Sequence, residues 1–108
     1  MTLTLLKAKL HRISITEACL DYEGSLSLDP DDMEAVGILP YEKILCADIE
    51  TGNRFETYAI EGKRGSHVCC LNGAAARMGK VGDRLIVMCF AQFTPEEAVG
   101  HQPKVKHF

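Results

Sequence analysis

The sequence predicts a mainly β protein: a small mixed barrel of six or seven short strands with two or three short helices, folded as one domain over residues 1–108. Three observations predict it. Alternating apolar and polar runs recur along the chain, parted by turns rich in Gly, Asn and Asp. The helical signals are short and carry their own caps. No internal repeat, linker or low-complexity stretch divides the 108 residues, a length that suits one compact unit with a small core. Association with further copies would add stability and supply clefts between subunits.

Taken in order, Leu6, Ala8 and Leu10 alternate with Lys7, Lys9 and His11, which is strand periodicity with a cationic face. Ile13 and Ile15 then carry the apolar phase on odd numbers, so a bulge or bend is expected near His11-Arg12. Ser25-Leu26-Ser27-Leu28 is a second alternating run. Asp29 as N-cap, Pro30 at the first helical position and the acids Asp31 and Asp32 open a helix of about two turns that Gly37 closes. Lys43 to Ile49 and Arg54 to Ile60 read as strands around a Thr51-Gly52-Asn53 turn. His67 to Leu71 is a strand, and Ala74-Ala75-Ala76-Arg77 makes about one helical turn that Asn72 can cap. Arg84 to Phe93 is the most apolar strand. Thr94-Pro95-Glu96-Glu97 is a capping box, so a short helix follows, and His101 to Phe108 is a tail or final strand.

Composition narrows the function. Hydrophobic residues at 46% and charged residues at 25% describe a folding chain rather than a disordered one. A net charge of −3 gives no broad basic face for nucleic acid. No apolar stretch reaches membrane-spanning length, and Leu3-Thr4-Leu5-Leu6, interrupted by Lys7, is too short for a signal peptide. Five cysteines, mostly among apolar neighbours and without a C-x-x-C pair, read as reduced thiols in the cytoplasm. Cys69 and Cys70 lie near His67 but point to opposite faces of a strand, and the ligand spacing of a metal site is missing, so none is expected.

Four groups could carry chemistry. In Tyr22-Glu23-Gly24-Ser25 the serine hydroxyl follows a glycine carbonyl that it could attack in an N-to-O acyl shift, although Gly-Ser is also a common turn pair. Arg54, Glu56 and Tyr58, flanking Thr57, share a strand face; the arginine either grips a carboxylate with two hydrogen bonds or is solvated beside a core-edge tyrosine that could donate a proton. Lys9 and His11, with Lys7 on the same face, form either an anion pocket or a solvated face. Asn72-Gly73-Ala74-Ala75-Ala76 either presents backbone N–H groups to an anion or makes a tight packing corner.

Together these segments resemble the aspartate 1-decarboxylase family, the pyruvoyl-dependent enzymes that make β-alanine for pantothenate. The resemblance is carried by Lys9-Leu10-His11-Arg12, Tyr22-Glu23-Gly24-Ser25, Arg54-Phe55-Glu56-Thr57-Tyr58-Ala59-Ile60, Arg64-Gly65-Ser66, Asn72-Gly73-Ala74-Ala75-Ala76 and Val81-Gly82-Asp83, in the family's order and spacing. It implies a double-psi β-barrel, assembled as a homotetramer with active sites between subunits. It implies self-cleavage between Gly24 and Ser25 into pieces 1–24 and 25–108, with Thr57 stabilising the oxyanion and Ser25 becoming a covalent pyruvoyl cofactor. L-aspartate is then held as a Schiff base and loses CO2, with Tyr58 as proton donor. Arg54 and Lys9 match carboxylate-binding cations; His11, Tyr22 and Asn72 match residues lining the site, and Gly73, Ala74 and Ala75 match backbone that contacts substrate. The local cations Lys9, His11 and Arg54 suit a dicarboxylate in a chain that is acidic overall, and Arg54 is expected to hold the carboxylate that stays. Glu56 stands where family members often have serine, and is expected to pair with Arg54 or lie at a subunit edge. The contrasting readings are a non-enzymatic barrel adaptor and a self-processing relative acting on another amino acid.

Overall fold

In the computed structural model, which describes all residues Met1–Phe108, the first strand carries the expected bend. Strand β1 (Leu3–Ser14) shifts register between His11 and Ile13, and Arg12 takes φ 71°. Ala8 and Leu10 are buried before the bulge and Ile13 and Ile15 after it, so the extra residue moves the core face from even to odd numbers. A second shift lies between Leu6 and Ala8.

Beyond the bulge the chain continues as β2 (Glu17–Cys19), a short exposed strand without apolar alternation, which makes eight strands rather than the six or seven expected. The others are β3 (Ser25–Leu28), β4 (Lys43–Asp48), β5 (Arg54–Glu61), β6 (Cys69–Asn72), β7 (Arg84–Phe93) and β8 (Lys104–His107). Their order across the sheet is β2-β6-β3-β5-β4-β7-β1-β8. Segment 3–19 therefore borders β7 at one end and β6 at the other. The N–H of Ile15 donates to Asp83 O and that of Thr16 to Cys69 O, both at 2.8 Å, bridging the two pairings. One stretch of chain thus joins both margins of the sheet, consistent with a small β-barrel. Leu10, Ile13, Leu26, Leu28, Ile44, Cys46, Leu71, Leu85 and Val87 meet in one core inside it.

The helices begin where the sequence places them. Asp29 accepts from the Asp31 N–H, Pro30 opens α1 (Pro30–Val36), and Gly37, at φ 81°, closes it by donating to Met33 O. Asp32 does more than complement the helix dipole. It is fully buried, 2.6 Å from Lys106 Nζ and 3.2 Å from His67 Nδ1, and so ties α1 to β8. Burial opposes ionisation of Asp29, but the N–H groups of His67, Asp31 and Gly65 outweigh it and hold the carboxyl below its usual range. Thr94 and Glu97 make both bonds of the capping box at α2 (Pro95–Ala98). No helix is long and apolar enough to cross a membrane.

Candidate active site

Ser25 opens β3 between two strands. It lies opposite Asn72 of antiparallel β6, while parallel β5 pairs Ala59 with Leu26. Continued by one and two residues, that parallel register sets Ser25 level with Tyr58 and Gly24 level with Thr57. Ser25 is 1% exposed and Asn72 3%. Two such polar groups need partners, and they find each other: Asn72 Nδ2 donates to Ser25 Oγ at 3.0 Å and to Ser27 Oγ at 2.9 Å. The Cys70 thiol lies 3.2 Å from Asn72 Oδ1. Asn72 does precede a short turn of 3₁₀ helix (Gly73–Arg77), but its side chain makes no capping bond; Oδ1, the atom a cap would use, is turned to the Cys70 thiol instead. Ser27 and Cys70 were invisible as site residues in the sequence; their only signal is a place two residues from Ser25 and from Asn72, on the same strand face.

The glycine that the packing demands is Gly73 rather than Gly24. Gly73 has φ 65°, and a Cβ on it would lie 2.8 Å from Gly24 Cα and from Tyr22 O. Its backbone therefore presses directly on segment 22–24. A Cβ on Gly24 would meet nothing within 4 Å, and Gly24 is not in the left-handed region, so no conformational freedom is drawn on there. Beside Gly24 is a cavity of about 240 Å³ lined by Phe55, Glu56, Thr57, Ala74, Ala75 and Met78. Thr57 thus shares a cavity with Gly24, and Ala74 and Ala75 contribute only small side chains to its wall. A larger cavity, about 530 Å³, lies on another side of Asn72 and includes Tyr22, Ser27 and Cys70 in its lining.

The remaining candidates are not gathered here. Lys9, His11, Arg54 and Tyr58 line neither cavity. β1 and β5 are separated in the sheet by β7 and β4, so Lys9 and His11 form no single cluster with Arg54 in one chain. Arg54 and Tyr58 are exposed on β5 with Glu56, sharing a face as expected. Glu56 does not pair with Arg54; it meets Lys43 at 2.8 Å. Lys7 is occupied by Glu42 at 2.6 Å and by Gly37 O at 3.1 Å, whereas Lys9 and Arg54 make no ion pair. His11 is a weak member of a cationic group: burial first, then Lys9, His107 and Arg12, push its pKa down. The His11 Nδ1 is buried without a partner, and the ring meets His107 edge-on at 5.4 Å.

Two acidic groupings lie elsewhere. Asp29, Asp32 and His67 are answered by the N–H groups and Lys106 described above. Asp48, Glu50 and Asp83 converge near Arg84, which binds Glu50 through Nε and Nη2. Burial first, then Asp83, raises the Asp48 pKa, while Asp48 chiefly lowers that of Asp83; Asp48 Oδ2 itself is buried without a hydrogen-bond partner.

Comparison with known proteins is consistent along the whole chain. The profile of the family described as aspartate decarboxylase matches residues 1–108. An aspartate 1-decarboxylase of Lactiplantibacillus plantarum is 53% identical over 105 residues, covering 97% of this chain and 81% of that protein. One of Maricaulis maris is 52% identical over 105 residues, covering 97% and 87%. One of Salinibacter ruber is 49% identical over 107 residues, covering 99% and 73%.

Proposed function

The chain belongs to the aspartate decarboxylase family, and from that premise we propose that it cuts itself between Gly24 and Ser25 and then converts L-aspartate to β-alanine and CO2. The family makes it a carboxy-lyase. The observation that carries the self-processing reading is the buried Ser25 hydroxyl, bonded to Asn72, directly after a Gly24 that lines a cavity with Thr57.

In the cleavage, Ser25 Oγ attacks the Gly24 carbonyl carbon, and the Thr57 hydroxyl stabilises the oxyanion that forms. The C–N bond breaks as the hydroxyl proton passes to the Ser25 nitrogen, leaving an ester. Elimination across Cα–Cβ releases Gly24 as a carboxylate, and hydrolysis of the remaining dehydroalanine releases ammonia and leaves a pyruvoyl group on piece 25–108. That group supplies the carbonyl that takes the substrate amine and the electron sink for decarboxylation.

The chain's own residues then bind and orient substrate. Arg54 offers a planar fork to the carboxylate that is retained. Lys9 supplies the second charge, Tyr58 returns a proton to the substrate carbon, and Asn72, Tyr22, His11 and the backbone of Gly73, Ala74 and Ala75 complete the lining. Since Lys9, Arg54 and Tyr58 are not gathered in one cavity of one chain, assembly with further copies supports this division of labour; a homotetramer with sites between subunits is the proposed form. Supply of β-alanine for pantothenate in the cytoplasm is the proposed role.

Denaturing intact-mass spectrometry after warm incubation tests the reading. Pieces 1–24 and 25–108 are expected, the larger bearing a pyruvoyl terminus, with CO2 released from L-aspartate. Ser25→Ala is expected to stay whole and inactive. A wild-type chain that stays unbroken and inactive would instead favour a barrel adaptor, and cleavage with turnover of a different amino acid would favour a relative of other specificity.

A further inference from the structure

We infer that Cys70 and Ser27 are positioning residues for self-cleavage, which together fix which end of the Asn72 amide faces Ser25. The inference rests on the proposed cut at Gly24-Ser25 and names a further part of its machinery. The asparagine amide is almost symmetric in shape but not in chemistry: one end only accepts hydrogen bonds and the other only donates. Its orientation must therefore be set by its neighbours.

The register supplies those neighbours. Ser25 lies opposite Asn72 and Ser27 opposite Cys70, and each pair of residues on a strand is two apart. The four side chains consequently form a square on one face of β3 and β6. Cys70 Sγ is 3.2 Å from Asn72 Oδ1, and a thiol that keeps its proton donates there. Burial first, then Glu17 and Cys19, raise the Cys70 pKa, so the proton is kept at neutral pH. Ser27 Oγ accepts one amide hydrogen at 2.9 Å and Ser25 Oγ accepts the other at 3.0 Å. Both ends of Asn72 are thereby answered in one orientation.

This orientation matters for the acyl shift. With Asn72 donating, one Ser25 lone pair is anchored, the other can attack the Gly24 carbonyl carbon, and the hydroxyl hydrogen can move to the Ser25 nitrogen. With the amide reversed, Asn72 Oδ1 would draw the Ser25 hydroxyl in as a donor. The proton that must leave would then be held, and the reactive oxygen would lose its anchor. Cys70 and Ser27 touch no reacting atom; they act through Asn72.

The test follows freshly made precursor by denaturing intact mass over time. Cys70→Val removes the donor at similar volume and is expected to slow cleavage about tenfold, the scale of one lost hydrogen bond. Cys70→Ser restores a donor and is expected to cleave within about twofold of wild type. Ser27→Ala, the milder packing change, is expected to slow cleavage as well. Melting each variant on a Ser25→Ala background separates positioning from folding. Cys70→Val cleaving at the wild-type rate, or Cys70→Ser as slow as Cys70→Val, overturns this inference while leaving self-cleavage intact. A wild-type chain that never cleaves overturns both.

Discussion

Around Ser25 the polar groups are buried and answered by one another; Lys9 on β1 and Arg54 on β5 stand unpaired. Ser25 and Asn72 are almost fully enclosed and bonded together, with Gly73 pressed against Gly24. Lys9 and Arg54 make no ion pair, although the chain satisfies Lys7, Lys43, Arg64 and Arg84 with its own carboxylates. On the proposed function the contrast matches two kinds of chemistry. An acyl shift within the backbone needs fixed geometry, which a single chain can provide by packing. Binding a dicarboxylate needs charges left uncompensated, since an internal carboxylate would have to be displaced first.

The largest expected effect breaks the enclosed half. Thr57→Val removes the one hydroxyl beside Gly24 in its cavity. Cleavage should slow by roughly 10²–10³ with little change in melting temperature, the usual size of a lost oxyanion donor; intact mass and calorimetry check it. Arg54→Gln breaks the open half without touching the enclosed one. Processing should proceed at the wild-type rate, while kcat/KM for aspartate on the processed protein falls by roughly 10–100-fold, the loss of a charge-assisted pair. Equal damage to both steps would remove the distinction between the regions.

Gly73→Ala sharpens the comparison from the packing side. Its Cβ would sit within 3 Å of Gly24 and Tyr22 backbone, at a positive φ. A destabilisation of about 1–3 kcal/mol is expected in denaturant melts of the Ser25→Ala precursor. The smallest effect lies outside both regions. The raised Asp48 pKa means that its contribution is complete at low pH and is lost as pH rises through the folded value. Asp48→Asn keeps a donor toward Asp83 at every pH. It should therefore flatten the decline in melting temperature as pH rises through that value, by a few degrees at most, and an unchanged pH profile would remove any role for a proton on Asp48.

What the sequence disclosed was what neighbours along the chain decide. The phase change from Leu10 to Ile13 located a bulge because strand period is fixed. Asp29-Pro30, Gly37 and Thr94 marked helix ends because caps bond within a few residues. The position of Ser25 beside Gly24 was legible for the same reason. What Asn72 does was not: its partners lie 45 and 47 residues away and depend on the β3–β6 register. The close approach of Gly73 to Gly24 is a fact of packing with no local pattern. Lys106 reaches Asp32 across 74 residues, so a helix acid that read as a dipole partner proved to be a buried anchor for the tail. Three exposed residues in β2 offered no periodicity to read at all.

The doubly shared segment 3–19 has a bearing on what a cut after Gly24 would leave behind. Piece 1–24 holds Ala8, Leu10, Ile13 and Ile15 in the core and pairs with β6, β7 and β8. Severed from the rest, it would remain in place as a tightly held peptide, and the molecule would become a complex of two fragments. Refolding after denaturation would then be a bimolecular event, with a midpoint that moves with protein concentration even within one protomer. Within one protomer the uncut precursor is free of that dependence. A protein processed in this way assembles its fold once, as one chain, and afterwards relies on the slowness of its own unfolding to keep it.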